Sequence, residues 1–157
     1  MIRARGFTLI ELLIALSIVA VLSTIALPMT ELAVQRNKEQ ELRSALRSIR
    51  NGIDAYRQAV DEGRITKIAD STGYPETLGL LVNGVTDLKN PNGEKIYFMR
   101  RIPRDPFFRD AAVPAADTWG KRAYASPPED PREGNDVYDV YSLASGVGIN
   151  GIPYREW

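Results

Sequence analysis

The chain of 157 residues contains no cysteine and no histidine. It therefore cannot form a disulfide, a zinc site built on sulfur or imidazole, or a catalytic pair of histidine with serine or cysteine. Only carboxylates, lysines, tyrosines and hydroxyls remain for chemistry, and no set of them converges in the sequence. The chain is therefore predicted not to be an enzyme.

The chain also lacks an excess of charge of either sign, with 20 basic and 20 acidic residues. It has no basic stripe and no arginine cluster interleaved with aromatic residues, which are typical of nucleic-acid-binding proteins. Nucleic acid is therefore not expected as a partner. The length leaves room for one domain of ordinary size beside an N-terminal segment.

What the chain does have is a long apolar run near its start. From Phe7 to Leu27 the only charged residue is Glu11. As a helix the run would measure roughly 30 Å, enough to cross the hydrocarbon core of a bilayer. Arg3 and Arg5 precede it, so the N-terminus is expected to stay cytoplasmic. A carboxylate within such a segment is costly, and Glu11 should therefore have a partner or a function.

Two ordinary explanations compete for this segment. A secretory signal or a plain membrane anchor would also place basic residues before an apolar run. Thr24-Ile25-Ala26 could even serve as a cleavage site between small residues. Neither explanation accounts for Glu11 within the apolar run.

A second pattern follows. Pro28 is expected to kink or loosen the helix, since it cannot donate a backbone hydrogen bond. Apolar residues then return at helical spacing, and Gly63 supplies a stop. We predict one nearly continuous helix from about Phe7 to Glu62. Its apolar stripe is Leu42, Leu46, Ile49, Ile53, Tyr56 and Val60, and its opposite face carries Arg43, Arg47, Arg50, Asp54 and Arg57.

The remainder of the chain predicts a small mixed region. A short helix is expected within Tyr74–Val82, and strands are expected at Arg122–Ser126 and Val137–Leu143. A glycine-rich tail, Gly146–Gly151, leads to Ile152, Tyr154 and Trp157, which should pack back onto the domain. The predicted fold class is therefore α+β: a long N-terminal helix, transmembrane in its first half, packs in its second half against a small antiparallel β-sheet domain.

The residues Gly6-Phe7-Thr8-Leu9-Ile10-Glu11-Leu12-Leu13, after a short basic leader, resemble the class III signal of type IV pilins and type II secretion pseudopilins. The resemblance implies that a prepilin peptidase cuts after Gly6 and that the new N-terminal residue, Phe7, is N-methylated. It also implies that Glu11 pairs with the N-terminal amine of a neighbouring subunit during filament assembly.

Motifs in the second half resemble the G-type major pseudopilin of type II secretion. They are Tyr74-Pro75 with the following Thr-Leu-Gly-Leu-Leu, Ile102-Pro103-Arg104-Asp105-Pro106, Trp119-Gly120, and Asp139-Val140-Tyr141-Ser142-Leu143. The family's compact Asp-Pro-Trp-Gly is split here into two pieces by an insertion. With the N-terminal motif, the resemblance covers most of the chain and implies a pilin-like fold.

Calcium is the one cofactor that the resemblance raises. Many G-type subunits bind it with acidic residues in the loop after the Tyr-Ser-Leu strand, whereas Ala144–Pro153 contains no carboxylate. Calcium favours several oxygen ligands, usually including carboxylates. The expectation is therefore no metal and no other cofactor. An alternative cation site would have to use acids from the set Asp130, Glu133, Asp136 and Asp139.

The resemblance implies a filament subunit of a type II secretion pseudopilus that drives protein export. The alternative within the class is a type IV pilin or other pilin-like filament subunit. The alternative from another class is a membrane-tethered periplasmic enzyme or cation-binding module. The implied partners are further copies of the chain in a homo-oligomeric filament, the prepilin peptidase, minor pseudopilins, the inner-membrane assembly platform with its ATPase, and membrane lipid.

These interpretations predict how the chain is divided into segments. Residues 1–6 would be the leader, 7–30 the transmembrane and filament-core helix, 31–63 its amphipathic continuation, and 64–157 a periplasmic α+β region. The protein would cross the inner membrane of a Gram-negative bacterium once, with its N-terminus cytoplasmic and its C-terminal domain periplasmic.

Overall fold

The computed structural model describes residues 8–68 and 71–157, without the side chains of residues 25–28. The predicted cleavage between Gly6 and Phe7 lies outside the described residues, and so does the side chain of Pro28. The chain divides into two compact units, Met1–Asn37 and Lys38–Trp157. The boundaries expected from the sequence after residues 6, 30 and 63 stay predictions.

A single long helix, α1, runs from Leu9 to Asp61 and contributes to both units. After it come a short helix α2 and two pairs of short strands. In chain order these elements are α2 (Gly79–Asn83), β1 (Val85–Thr86), β2 (Lys95–Ile96), a 3-10 turn (Ala115–Thr118), β3 (Trp119–Arg122), β4 (Asp139–Ser142) and a second 3-10 turn (Tyr154–Glu156). The predicted long helix and the α+β class are confirmed.

The end of α1 follows from a glycine, as predicted. Gly63 adopts a positive φ of 70°, a conformation that costs glycine little. Its N–H donates to the carbonyl of Val60, and the Arg64 N–H donates to that of Ala59, both at 2.9 Å. These bonds satisfy carbonyls that a helix end leaves unpaired.

The core of the unit Lys38–Trp157 forms on the apolar stripe of α1. All six predicted stripe residues are buried, none more than 9% exposed, and Ala45 and Ala59 of the same face join them. Leu78, Leu81, Trp119 and Val140 pack against this stripe. Because burial of one large apolar side chain stabilises by about 1.5–3 kcal/mol, the stripe is the main source of stability in this unit.

The four short strands form two antiparallel pairs. β1 pairs with β2, with Val85 opposite Ile96. β3 pairs with β4, from Trp119 opposite Ser142 to Arg122 opposite Asp139. The two-residue strands β1 and β2 were not predicted from the sequence.

The predicted strand Arg122–Ser126 is wrong in its position, since β3 ends where that strand was expected to begin. The chain turns after Arg122, and the Ser126 N–H donates to the Ala123 carbonyl at 3.0 Å. The Tyr124 N–H donates to the carboxylate of Asp136 at 2.8 Å instead of joining a ladder. The second predicted strand, Val137–Leu143, contains β4.

The two pieces of the split Asp-Pro and Trp-Gly motif lie side by side. The buried Trp119 indole N–H donates to the Pro103 carbonyl at 2.8 Å. The backbone N–H of Asp105 donates to the Thr118 hydroxyl at 3.2 Å, and its buried carboxylate accepts the Ser142 hydroxyl at 2.5 Å. The two pieces therefore meet beside β4 although the insertion separates them in the sequence.

The charged face of α1 contacts the rest of its unit at several points. The Arg50 guanidinium lies 2.7 Å from the carboxylate of Asp139. The guanidinium of Arg43 lies 4.3 Å from the ring centroid of Trp157. The Arg57 guanidinium donates to the Thr72 carbonyl and lies 5.5 Å from the ring centroid of Tyr74. Arg43, Arg50 and Arg57 therefore bind within their own unit, whereas the sequence had been interpreted as leaving this face to neighbouring subunits or solvent.

A further ion pair fixes the segment that follows α1. The Arg64 guanidinium contacts the carboxylate of Asp87 at 2.6 Å. That hydrogen bond holds the pKa of Asp87 below its usual value. The Leu88 N–H also donates to the Arg64 carbonyl at 2.8 Å, so the same two stretches are joined by backbone.

Candidate functional site

The first part of α1 exposes an apolar surface on every side. Its large apolar residues between Leu9 and Leu22 are 55–79% exposed. Among the described residues, α1 is the one helix long and apolar enough to cross a membrane. A helix that is apolar all round needs an apolar environment, either lipid or other helices.

The few polar side chains in this stretch are satisfied locally. The hydroxyls of Ser17 and Ser23 donate to the carbonyls of Leu13 and Val19, four residues earlier, each at 2.8 Å. The Thr24 hydroxyl donates to a carbonyl three residues earlier at 2.7 Å. Unpaired polar groups are costly in hydrocarbon. These hydroxyls therefore do not oppose insertion into a membrane.

The carboxylate of Glu11 lies in the first turn of α1, where it forms a capping box with Thr8. The Glu11 backbone N–H donates to the Thr8 hydroxyl at 3.3 Å. The Thr8 backbone N–H and hydroxyl donate to Glu11 Oε2 at 3.4 and 3.5 Å. Such reciprocal bonds satisfy N–H groups that a helix start leaves unpaired. A negative charge there also opposes the positive end of the helix dipole.

Of the three predicted site residues, the structure describes Glu11 alone. Gly6 and Phe7 lie outside the described residues, so the expected roles in cleavage and methylation stay predictions. Sequence reasoning considered only a charged partner for Glu11, the N-terminal amine of its own or a neighbouring chain, and missed the role of Thr8. A threonine followed three residues later by glutamate, before an apolar run, was the signal that could have revealed it.

Three of the four acids suggested as an alternative cation site, Asp130, Asp136 and Asp139, make other contacts. The Asp139 carboxylate lies 2.7 Å from Arg50 and 3.4 Å from Arg122. The Asp136 carboxylate accepts the Thr72 hydroxyl at 2.5 Å as well as the Tyr124 N–H. Over the described part of the chain, no three acids come together as a metal-binding group. The donor set therefore does not fit the calcium that the resemblance implies.

A buried carboxylate that the sequence reasoning missed is Glu39, 6% exposed. Its Oε1 accepts the backbone N–H of Ile149 at 2.9 Å and the hydroxyl of Tyr154 at 3.0 Å. Position 39 lies three residues before Leu42 and so continues the apolar stripe by one turn. A charged residue on an otherwise apolar stripe was the signal available in the sequence.

Comparisons with known proteins agree with this arrangement. A family described as the prokaryotic N-terminal methylation motif matches residues 1–27. The chain is 25% identical over 154 residues to the type II secretion system core protein G of Dickeya chrysanthemi, covering 95% of this chain and 94% of that protein. It is 29% identical over 158 residues to the protein of the same name from Pectobacterium carotovorum subsp. carotovorum, with 98% and 81% covered.

A third relative has the same name. The core protein G of Aeromonas hydrophila is 25% identical over 123 residues, which cover 76% of this chain and 78% of that protein. No solved structure matches the chain significantly.

A long apolar helix that begins within the methylation motif and is followed by a small α+β region is consistent with a pilin-like fold. The predicted resemblance to the G-type major pseudopilin of type II secretion is confirmed by the three relatives, and the comparisons support a pseudopilin subunit. Pseudopilins are structural proteins and not enzymes. The apolar helix and the relatives fit a protein anchored in the inner membrane.

Proposed function

We propose that the protein is the structural subunit of a type II secretion pseudopilus and acts by assembly, without catalysis. The observation that carries the proposal is the exposed apolar helix, because it begins within the residues that match the methylation motif. Similarity to three core proteins G that extends over most of the chain supports it further.

The mechanism we propose moves this helix from one apolar environment to another. The leader of residues 1–6 is removed by the prepilin peptidase, and Phe7 is methylated while the helix rests in the inner membrane. Subunits are then drawn out so that their apolar helices bundle into a filament core. The apolar residues stay away from water throughout, so the transfer avoids the free-energy cost of exposing them to water.

Glu11 supplies specificity in this assembly. Its carboxylate would pair with the N-terminal amine of the neighbouring subunit, in a setting where an unpaired charge is costly. Such a pair sets the axial register between helices as well as their affinity. The partners are then further copies of the chain, the prepilin peptidase, minor pseudopilins, and the inner-membrane platform with its ATPase. The C-terminal region would lie in the periplasm of a Gram-negative bacterium and would need no cofactor.

The proposal is tested by deleting the gene in its host and restoring it from a plasmid. We expect deletion to block export of secreted proteins across the outer membrane, and overproduction to give filaments that electron microscopy and antibodies detect. A version that begins near Glu31 is the control, because it keeps the unit Lys38–Trp157 but lacks the apolar helix. Export that continues without the gene, while surface pili disappear, would favour a type IV pilin instead.

A further inference from the structure

The C-terminal loop, Ala144–Pro153, is closed by its own backbone. An isolated antiparallel bridge joins Val147 to Pro153. The Gly148 N–H donates to the Ile152 carbonyl at 2.9 Å, and the Gly151 N–H donates to the Gly148 carbonyl at 2.8 Å. The loop is therefore a small closed unit, and its attachment to the rest of the domain depends on a few contacts.

An aromatic stack forms one of these attachments. Tyr154 is 3% exposed. Its ring stacks on Phe107 with centroids 4.2 Å apart, and it meets Trp157 edge to face at 5.2 Å. A side chain at Gly148 would place its Cβ 2.4 Å from the Trp157 ring, so this glycine is required for the close approach. The stack orders the tail that follows the loop.

The other attachment consists of hydrogen bonds whose donors lie in the C-terminal part of the chain and whose acceptor lies on α1. The loop presents donors to α1, namely the Ile149 N–H and, just beyond the loop, the Tyr154 hydroxyl. Both donate to the carboxylate of Glu39, which is more than nine-tenths buried. A buried carboxylate is unfavourable unless hydrogen bonds stabilise it, and bonds to an ionised acceptor are the stronger kind. The donors of the loop therefore match an oxygen acceptor on the helix, and a carboxylate forms the stronger bonds with them.

A bound cation would need oxygen acceptors from the loop, whereas this loop presents donors to α1. Calcium binds oxygen acceptors, and the loop has no carboxylate to offer. Lys38, next to Glu39 on α1, lies 5.9 Å from the Phe107 ring centroid and lines the cleft beside Ala144 and Gly146. Its ammonium adds positive charge near the loop, which disfavours a bound cation further.

We propose that Glu39 is the positioning residue of the C-terminal loop, the loop in which the resemblance implies a calcium site, and that in this chain its carboxylate fixes the loop to α1 without a bound calcium. The carboxylate comes from α1 and the donors come from the chain end. The loop is thus fixed to the helix when the domain folds, whatever the calcium concentration around it. This inference concerns the fold of the domain and does not depend on filament assembly.

Hydrogen–deuterium exchange of the detergent-solubilised full chain tests the proposal, with mass spectrometry of peptides from 144–153. Glu39→Ala should raise the exchange rate of these peptides about tenfold, because it removes an acceptor of two bonds to an ionised group. Tyr154→Phe, which removes one donor and keeps the stack, should give a smaller rise. Excess calcium or a chelator should leave the wild-type rates unchanged.

Glu41→Ala is the matched control, since Glu41 is an exposed glutamate two residues further along α1. Peptides around Val85–Ile96 report on wider unfolding. If Glu39→Ala also raises the exchange of the peptides around Val85–Ile96, the loop exchange is measured instead in Glu39→Gln and Tyr154→Phe, which nearly keep the volume of the side chain. Loop exchange equal to wild type in both of these variants would overturn the proposal. A chelator that raises the loop exchange of the wild type would overturn it as well.

Discussion

Glu11→Ala is expected to leave membrane insertion, leader removal and folding of the C-terminal unit intact while filaments shorten or disappear. In the proposed filament the Glu11 carboxylate neutralises the amine of the neighbouring subunit. Truncating one partner of a buried, hydrogen-bonded charge pair costs about 2–5 kcal/mol, so filament abundance should fall about tenfold or more. Electron microscopy and immunoblotting of sheared filaments give the measurement.

The capping box complicates this experiment, because the alanine variant also removes the bond from the Thr8 N–H to Glu11. Two further variants separate the roles. Glu11→Gln keeps a side-chain oxygen for the capping box but removes the charge, and it should lose filaments as Glu11→Ala does. Thr8→Ala removes the hydroxyl that caps the Glu11 N–H and keeps the charge, and it should still form filaments.

The opposite pattern would contradict the assignment. Normal filaments from Glu11→Gln, with loss of filaments in both Glu11→Ala and Thr8→Ala, would mean that the carboxylate acts on its own helix. Co-expression with the wild-type protein gives an independent comparison. If the pair forms between subunits, little of the Glu11→Ala variant should be incorporated into the wild-type filaments. Leader removal and membrane fractionation are measured in every variant, so that a failure of processing is not mistaken for a failure of assembly.

Ile53→Asp is expected to destabilise the C-terminal unit by at least about 4 kcal/mol, because it removes a core side chain and buries an unpaired charge. Ile53 is fully buried in the stripe of α1. Domains of ordinary size are stable by only about 5–15 kcal/mol, so this loss is a large fraction of the total stability. Urea unfolding, followed by tryptophan fluorescence on a version that begins near Glu31, measures the change.

Two further variants provide reference values for the change in stability. Asn51→Asp adds a carboxylate of similar size at an exposed position of the same helix and should change stability by less than about 0.5 kcal/mol. Ile53→Val removes one methylene group and should cost about 0.5–1.5 kcal/mol. An Ile53→Asp midpoint equal to that of Asn51→Asp would mean that the stripe is not the core.

Local patterns in the sequence were enough to predict α1 and its buried face. The stripe from Leu42 to Val60 repeats at helical spacing, and every member of it is buried. Gly63 likewise marks the end of the helix through its own conformational freedom. These features depend on residues a few positions apart, which is the range over which sequence patterns carry information.

Features that depend on distant partners were predicted poorly. β3 begins at Trp119, whose indole bonds to Pro103 and whose strand partner is Ser142, and neither contact has a local signal. No local pattern shows what the arginines of α1 contact, because only the fold brings Asp139 to Arg50. Glu39 had a signal, its place one turn before the stripe, but its donors come from more than a hundred residues away.

The candidate site also has local features that the sequence indicates and a distant contact that it does not. The run from Gly6 to Leu13 was sufficient to indicate a pilin-like start, and the methylation motif matches there. The same run contains the threonine and glutamate of the capping box. This local feature was missed because Glu11 was considered mainly for a role between subunits. What Glu11 contacts in a filament depends on a second copy of the chain, and a single sequence does not carry that geometry.

The intact mass of the protein purified from bacterial membranes tests the central claim most directly. The account predicts the mass of residues 7–157 with one added methyl group, which corresponds to cleavage after Gly6 and methylation of Phe7. Fragmentation of the N-terminal peptide would place the methyl group on the amine. A chain that still begins at Met1, or one that begins after Ala26 as an ordinary secretory signal would leave it, would contradict the account.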